Sequence, residues 1–151
     1  MNIRILKTLS SFFLFIFLSN ELLADQGISS DQVLIGMHTD ISGPASMIGK
    51  QSVDGANMRF KEFNENGGAF GRTIKFIVED HQYTVPRAVQ AANKLLRKDK
   101  VAFMMGALGT PMNNAVMTDQ LAMNVPNLFP LTAARSMFDP FDRLKFTSGS
   151  T

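Results

Sequence analysis

The feature that most restricts this chain is an alternation of two hydrophobic periods. Residues 32–37 (QVLIGM) form a short apolar run that stops at His38 and the turn-rich Ser42-Gly43-Pro44. Then the period lengthens: Val53, Ala56, Phe60 and Phe63 recur at three- and four-residue steps, one face of a helix. Asn66-Gly67-Gly68 ends it, as glycine after a last turn does. Residues 73–79 (TIKFIVE) return to a strand pattern. Pro86 opens a second helix with Ala88, Ala92, Leu95 and Leu96 on its buried side, and 101–105 (VAFMM) reads as a buried strand. Thr110-Pro111 starts a third helix, with Ala115, Val116, Leu121 and Met123 among its apolar residues. A short, proline-broken strand is expected within 125–131, and 144–147 begins another extended segment. Strands separated by helices join by crossovers, so the pattern predicts an α/β domain with a parallel sheet covered on both faces.

In such sheets ligands bind beyond the carboxyl ends of the strands, where the strand order reverses. An order of 2-1-3-4 places the reversal between the first and third strands. The loops 39–49 and 106–110 are therefore the expected site. Gly106-Ala107-Leu108-Gly109 is small enough for a backbone to approach a ligand closely. Thr110 is expected to be the helix N-cap and Pro111 to lie in the first turn, where its missing N–H costs nothing. The free amides and positive dipole end there suit a carboxylate, a role compatible with Thr110 capping its own helix.

The start of the chain belongs to a different class of segment. Arg4 and Lys7 precede an apolar run at 9–18, followed by a polar break at Ser19-Asn20-Glu21 and by Ala24. That order reads as a secretory signal peptide over residues 1–24, cleaved after Ala24, and the run is about half of what a membrane span needs. Removing Arg4, Lys7 and Glu21 leaves a net charge of +1 for 25–151. The lysines and arginines are scattered rather than striped, so no nucleic-acid surface is expected. Lys94, Arg97, Lys98 and Lys100 cluster at a helix end, where cations favour the dipole. The chain has no cysteine, which removes disulfides, thiolate metal sites and a cysteine-linked lipid. The expected product is soluble, periplasmic and not lipid-anchored.

Catalytic and nucleotide motifs fare poorly. Gly49-Lys50 follows a strand, but a phosphate loop would need glycine at Pro44 and Ser or Thr at Gln51. No G-x-S-x-G elbow occurs. His38, Asp40, Asp80 and His81 end the first two strands and are the one set that would suit a metal or acid–base chemistry. Loop starts are also polar for turn-forming reasons. The ten methionines read as core filling.

Taken in order, these motifs resemble the type I periplasmic binding proteins of the branched-chain amino acid (Leu/Ile/Val) group. The resemblance is carried by 33–37, Ser42-Gly43-Pro44, Asp54-Gly55-Ala56, Asn66-Gly67-Gly68, Gly71-Arg72 and Glu79-Asp80. Pro86 with Ala88-Val89, the small loop after 101–105, Val125-Pro126 and the turn at 130–134 continue it. It implies a three-layer α/β sandwich over 25–151, the N-terminal one of two lobes that close on a ligand, with the second lobe beyond Thr151. It further implies the solute-binding component of an ABC importer, which delivers a branched-chain or related amino acid, or a small carboxylate, to a membrane permease. No cofactor, metal or catalysis is implied. Position by position, Thr110 with Gly109 beside it matches the first ligand loop, and Thr132 and Ala133 match the second. Ile48 stands where the family often has an aromatic wall, so pocket shape is expected to differ. Two rival readings stay open: a secreted α/β enzyme using His38, Asp80 and His81, and the ligand-binding domain of a sensory receptor.

Overall fold

The computed structural model describes residues 26–147; the signal-peptide reading of 1–24 lies outside them. The chain alternates β1 (Gln32–Thr39), α1 (Ser46–Glu65), β2 (Thr73–Asp80), α2 (Val85–Asn93), β3 (Phe103–Met105), α3 (Thr110–Ala122), β4 (Asn127–Leu128) and β5 (Lys145–Phe146). A π turn, Lys94–Lys98, prolongs α2, and a 3-10 turn, Arg135–Met137, precedes β5. All pairings are parallel in the order β2-β1-β3-β4-β5, so the expected order holds and the extended segment at 144–147 adds a fifth strand. This is the three-layer α/β sandwich expected from the alternation.

β1 runs two residues beyond its apolar stretch, because His38 and Thr39 stay in register with Glu79 and Asp80 of β2. Both strands consequently deliver polar residues to the same edge of the sheet. Parity along the strands then separates two faces. Gly36, Ile77 and Met104 point toward α2 and α3, where Ala88, Ala92, Leu95, Leu96, Val101, Met112, Val116 and Val125 close a buried core. A Cβ on Gly36 would lie 3.1 Å from Val101 and 3.3 Å from Leu95, so this face is packed to contact at the middle of β1. Lys94 of the π turn pairs with Glu79 and Asp99, which fixes one charge of the basic cluster.

On the other face, Phe60 of α1 meets Phe76 edge-on at 5.2 Å between ring centroids. The predicted apolar face of α1 is present but only half-buried, and Gly49 is its sole fully buried residue. At Gly49 the helix passes so close to the loop after β1 that an added Cβ would stand 1.8 Å from the Asp40 carbonyl oxygen. Near its other end, Asn64 bonds both the amide and the carbonyl of Ile74, at 2.7 and 2.9 Å. Its side chain thereby acts as a short partner for the outer edge of β2.

Candidate functional site

The site is built where β1 and β3 end side by side. Gly109 has φ +93°, a conformation that strains any side chain. A Cβ there would also lie 2.2 Å from Met112 Cε and 3.2 Å from the Tyr83 ring. That backbone makes Gly109 the N-cap and Thr110 the first residue of α3, so the helix starts one residue earlier than the sequence suggested. The Thr110 hydroxyl, freed from capping, shares a hydrogen bond with the Thr132 hydroxyl. No side chain caps the helix. Pro111 has no N–H and the Asn113 amide is taken by the Gly109 carbonyl, leaving the Thr110 and Met112 amides as the open donors of the first turn.

Three of the five expected site residues come together. Gly109 N–H donates to the Leu131 carbonyl at 3.3 Å, and Leu131 N–H to Ala107 at 2.9 Å, so the loops after β3 and β4 run zipped to the Thr110–Thr132 pair. Asn113 reinforces this from inside, with its side-chain amide on the Ala107 and Gly109 carbonyls, both at 2.9 Å. Ala133 follows Thr132 and is exposed. Ile48 stands in the first turn of α1, 50% exposed, and not in the zipped pair of loops.

The rival residues have a different arrangement. Asp80 accepts from the amides of Ile41 (2.9 Å) and Gln82 (3.0 Å) and from the Ser42 hydroxyl (2.6 Å). Burial pushes its carboxyl up, but the Ser42 hydroxyl and the backbone donors outweigh that and hold it at about 2. Asp40 turns back on its own loop, accepting from the amides of Gly43 (2.6 Å) and Ala45 (2.7 Å). His81 and His38 are both fully buried, with ring centroids 5.6 Å apart. Burial, and then the neighbouring His81, push His38 down to about 3, and neither of its ring nitrogens has a hydrogen-bond partner among the described residues. His81 is pushed down by burial, partly offset by the Leu108 carbonyl and by Asp40 and Asp80. The two imidazoles, sealed in this way, touch no substrate unless the fold opens, while Asp80 stays partly exposed. Among the described residues no three His, Cys, Asp or Glu side chains stand close enough to share a metal ion.

The sequence marked Asp80 and His81 only for metal or acid–base chemistry and missed both Tyr83 and the part the end of β2 takes in holding the loops. Asp80 holds the loop after β1, His81 bonds the Leu108 carbonyl at 3.1 Å, and Tyr83 lays its ring beside Gly109. Of these loop-holding bonds only those of Asp40 had a local signature, the Asp-x-x-Gly spacing of a side-chain-closed turn. Two hydroxyls at an uncapped helix start, on the carboxyl edge of a parallel sheet, are groups able to donate hydrogen bonds to a small anion.

Residues 32–140 match the periplasmic binding protein family. The chain belongs to that family. Among relatives of this periplasmic binding protein, a Leu/Ile/Val-binding protein homolog 1 of Brucella abortus is 32% identical over 74 residues, 49% of this chain and 20% of that protein. Of solved structures, a substrate-binding periplasmic protein from Ralstonia solanacearum is similar with TM-score 0.71 and 26% identity, over 76% of this chain and 33% of that one. A fatty acid ABC transporter substrate-binding protein from Thermomonospora curvata gives TM-score 0.64 and 25% identity, over 73% and 28%. This periplasmic binding protein chain thus spans about a fifth of the length of the curated relatives it matches.

Proposed function

We propose that this chain is the first lobe of an extracytoplasmic solute receptor that binds a small carboxylate, with branched-chain amino acids the leading class, and presents it to an ABC permease. The observation that carries the reading is the Thr110–Thr132 hydroxyl pair at the uncapped start of α3. In this role Thr110 and the adjacent amides hold the ligand's carboxylate, and Gly109 lets it approach. Thr132 and Ala133 form the second contact loop, and Ile48 lines the side-chain end. Leucine, isoleucine and valine, named for the Brucella relative, share a carboxylate with the fatty acid named for the Thermomonospora protein. That common group is what a helix N-terminus recognises. A second lobe facing this edge would supply the other wall, and export through the segment 1–24 would place the protein outside the cytoplasm. A role that ends in delivery needs no group to react with the ligand.

The test separates the anion from the side chain. Adding L-leucine to the full chain is expected to shift the amide resonances of Thr110 and Thr132 saturably, while L-leucinamide, which lacks the carboxylate, leaves them in place. Thr110→Ala is expected to weaken leucine binding by about 1–3 kcal/mol, the range for losing a hydrogen bond to a charged group. Equal response to leucine and leucinamide would overturn the carboxylate assignment, and silence with both would overturn the amino-acid reading.

A further inference from the structure

In the order β2-β1-β3, strand β1 separates β2 from the loop that opens α3. Residues 81–84 nevertheless bridge that gap across the end of β1. His81 N–H donates to the Thr39 carbonyl at 2.8 Å, and the His81 ring bonds the Leu108 carbonyl at 3.1 Å. The Gln82 carbonyl crowds Gly43, where an added Cβ would stand 2.8 Å away. Tyr83 then carries its ring to Gly109, with two ring carbons 3.2 and 3.5 Å from the point a Cβ would occupy. A ring from the edge strand's loop thus stands in the crevice where the strand order reverses, the place such sheets bind ligands.

Holding it there opposes the backbone's own preference. Gln82 and Tyr83 have φ +49° and +56°, left-handed conformations that cost energy in both residues. Three bonds keep the turn in that shape. Asp80 accepts from Gln82 N–H at 3.0 Å, His81 Nδ1 from Tyr83 N–H at 3.0 Å, and the His81 carbonyl from Thr84 N–H at 2.9 Å. The ring they hold out stays 41% exposed, and its hydroxyl bonds no described residue. Core filling does not account for a strained turn that leaves its largest side chain in the open.

We infer that Tyr83 is a specificity-determining residue of this site: its ring is the wall against which the apolar side chain of an amino acid packs. The orientation of the ligand rests on the carboxylate reading, with the carboxylate on the Thr110 and Met112 amides. Gly109 links the two contacts, since it precedes Thr110 in the chain and touches the ring. A ligand of amino-acid size anchored at the Thr110 amide therefore lies beside the ring. An aromatic face favours alkyl groups and offers nothing to a ligand without a side chain.

The chain contains one tyrosine and no tryptophan, so tyrosine emission of the full chain, excited beyond the phenylalanine band, reports on Tyr83 alone. L-leucine is expected to change that emission saturably and to shield it from acrylamide, with the same midpoint as the Thr110 amide shift. Glycine, which has the same ammonium and carboxylate, is expected to move the Thr110 amide without shielding the ring. With binding followed at that amide, Tyr83→Ala is expected to weaken leucine about tenfold and glycine less than about twofold. Tyr83→Phe is expected to recover most of the loss, because the ring and not the hydroxyl makes the wall. A ring with a merely structural role lowers both ligands together, and that result overturns the inference. So does a Tyr83→Phe protein as weak as Tyr83→Ala, or leucine that moves the Thr110 amide while the ring stays open to quencher. Should Tyr83→Ala not fold, the quencher experiment on the native chain decides alone. Shielding of the ring with an unmoved Thr110 amide removes the carboxylate assignment and leaves the wall; silence of both signals removes both.

Discussion

The two faces of the sheet are built to different standards. Under α2 and α3, the strands meet a closed core in which Leu95, Leu96, Val101 and Met104 are at most 1% exposed. Under α1 the cover reaches Ile35 and Met37 of β1 and then thins, leaving Phe103, Met105 and Leu128 half-covered and Phe146 47% exposed. The same sheet thus has one face that stabilises the fold and one that is only roofed at one end. The lesson concerns sequence patterns: an apolar stripe at helical spacing tells which way a helix faces, not how much lies on top of it.

Core truncations test that contrast most severely. Leu95→Ala is expected to cost about 3 kcal/mol in chemical denaturation, since it empties a fully enclosed site. Comparable loss at Val53 on α1 would abolish the distinction. Acidification comes next, because the pressed-down histidine His38 lies on the dense face. Its native value near 3 is below its ordinary 6.5, so the unfolded chain binds the proton first. Its contribution is complete above about pH 6.5 and drains as the pH falls, at about 1.4 kcal/mol per pH unit. Stability at about pH 5 is therefore expected to be about 2 kcal/mol lower than at neutrality, with His81 acting in the same direction; His38→Phe removes most of that slope. On the thin face, Asn64→Ala deletes both bonds to the β2 edge and is expected to cost about 1 kcal/mol, most visibly as faster exchange at the Ile74 amide. Val53→Ala, half-buried, is expected to cost less than about 1 kcal/mol.

Much of this was legible before any coordinates, for a physical reason. Strand and helix periods over 32–122 repeat often enough to be read, and the loops at 39–49 and 106–110 follow from the strand order alone. What escaped were single bonds between distant positions. Asn113 and Gln120 lie on the buried side of α3, while Ala115, counted among its apolar residues, is exposed. These polar side chains face inward because they hold carbonyls, Asn113 those of Ala107 and Gly109 and Gln120 that of Pro126. His81 grips a carbonyl 27 positions away, a link that leaves no periodic trace. Thr110 was misplaced by one residue because only the backbone angle of Gly109 decides where α3 begins.

The strand order also sets a timetable. No neighbouring pair in this sheet is a hairpin, and β1 finds its second neighbour only when Ile35 meets Phe103. Closing so long a loop is a slow, entropy-limited event. A chain emerging from its N-terminus can form β1, α1 and β2 early, but β1 keeps one bare edge until residue 103 arrives. During that interval an apolar strand carries an unpaired edge, and the yield of folded molecules is decided by a race between that closure and encounters with other chains.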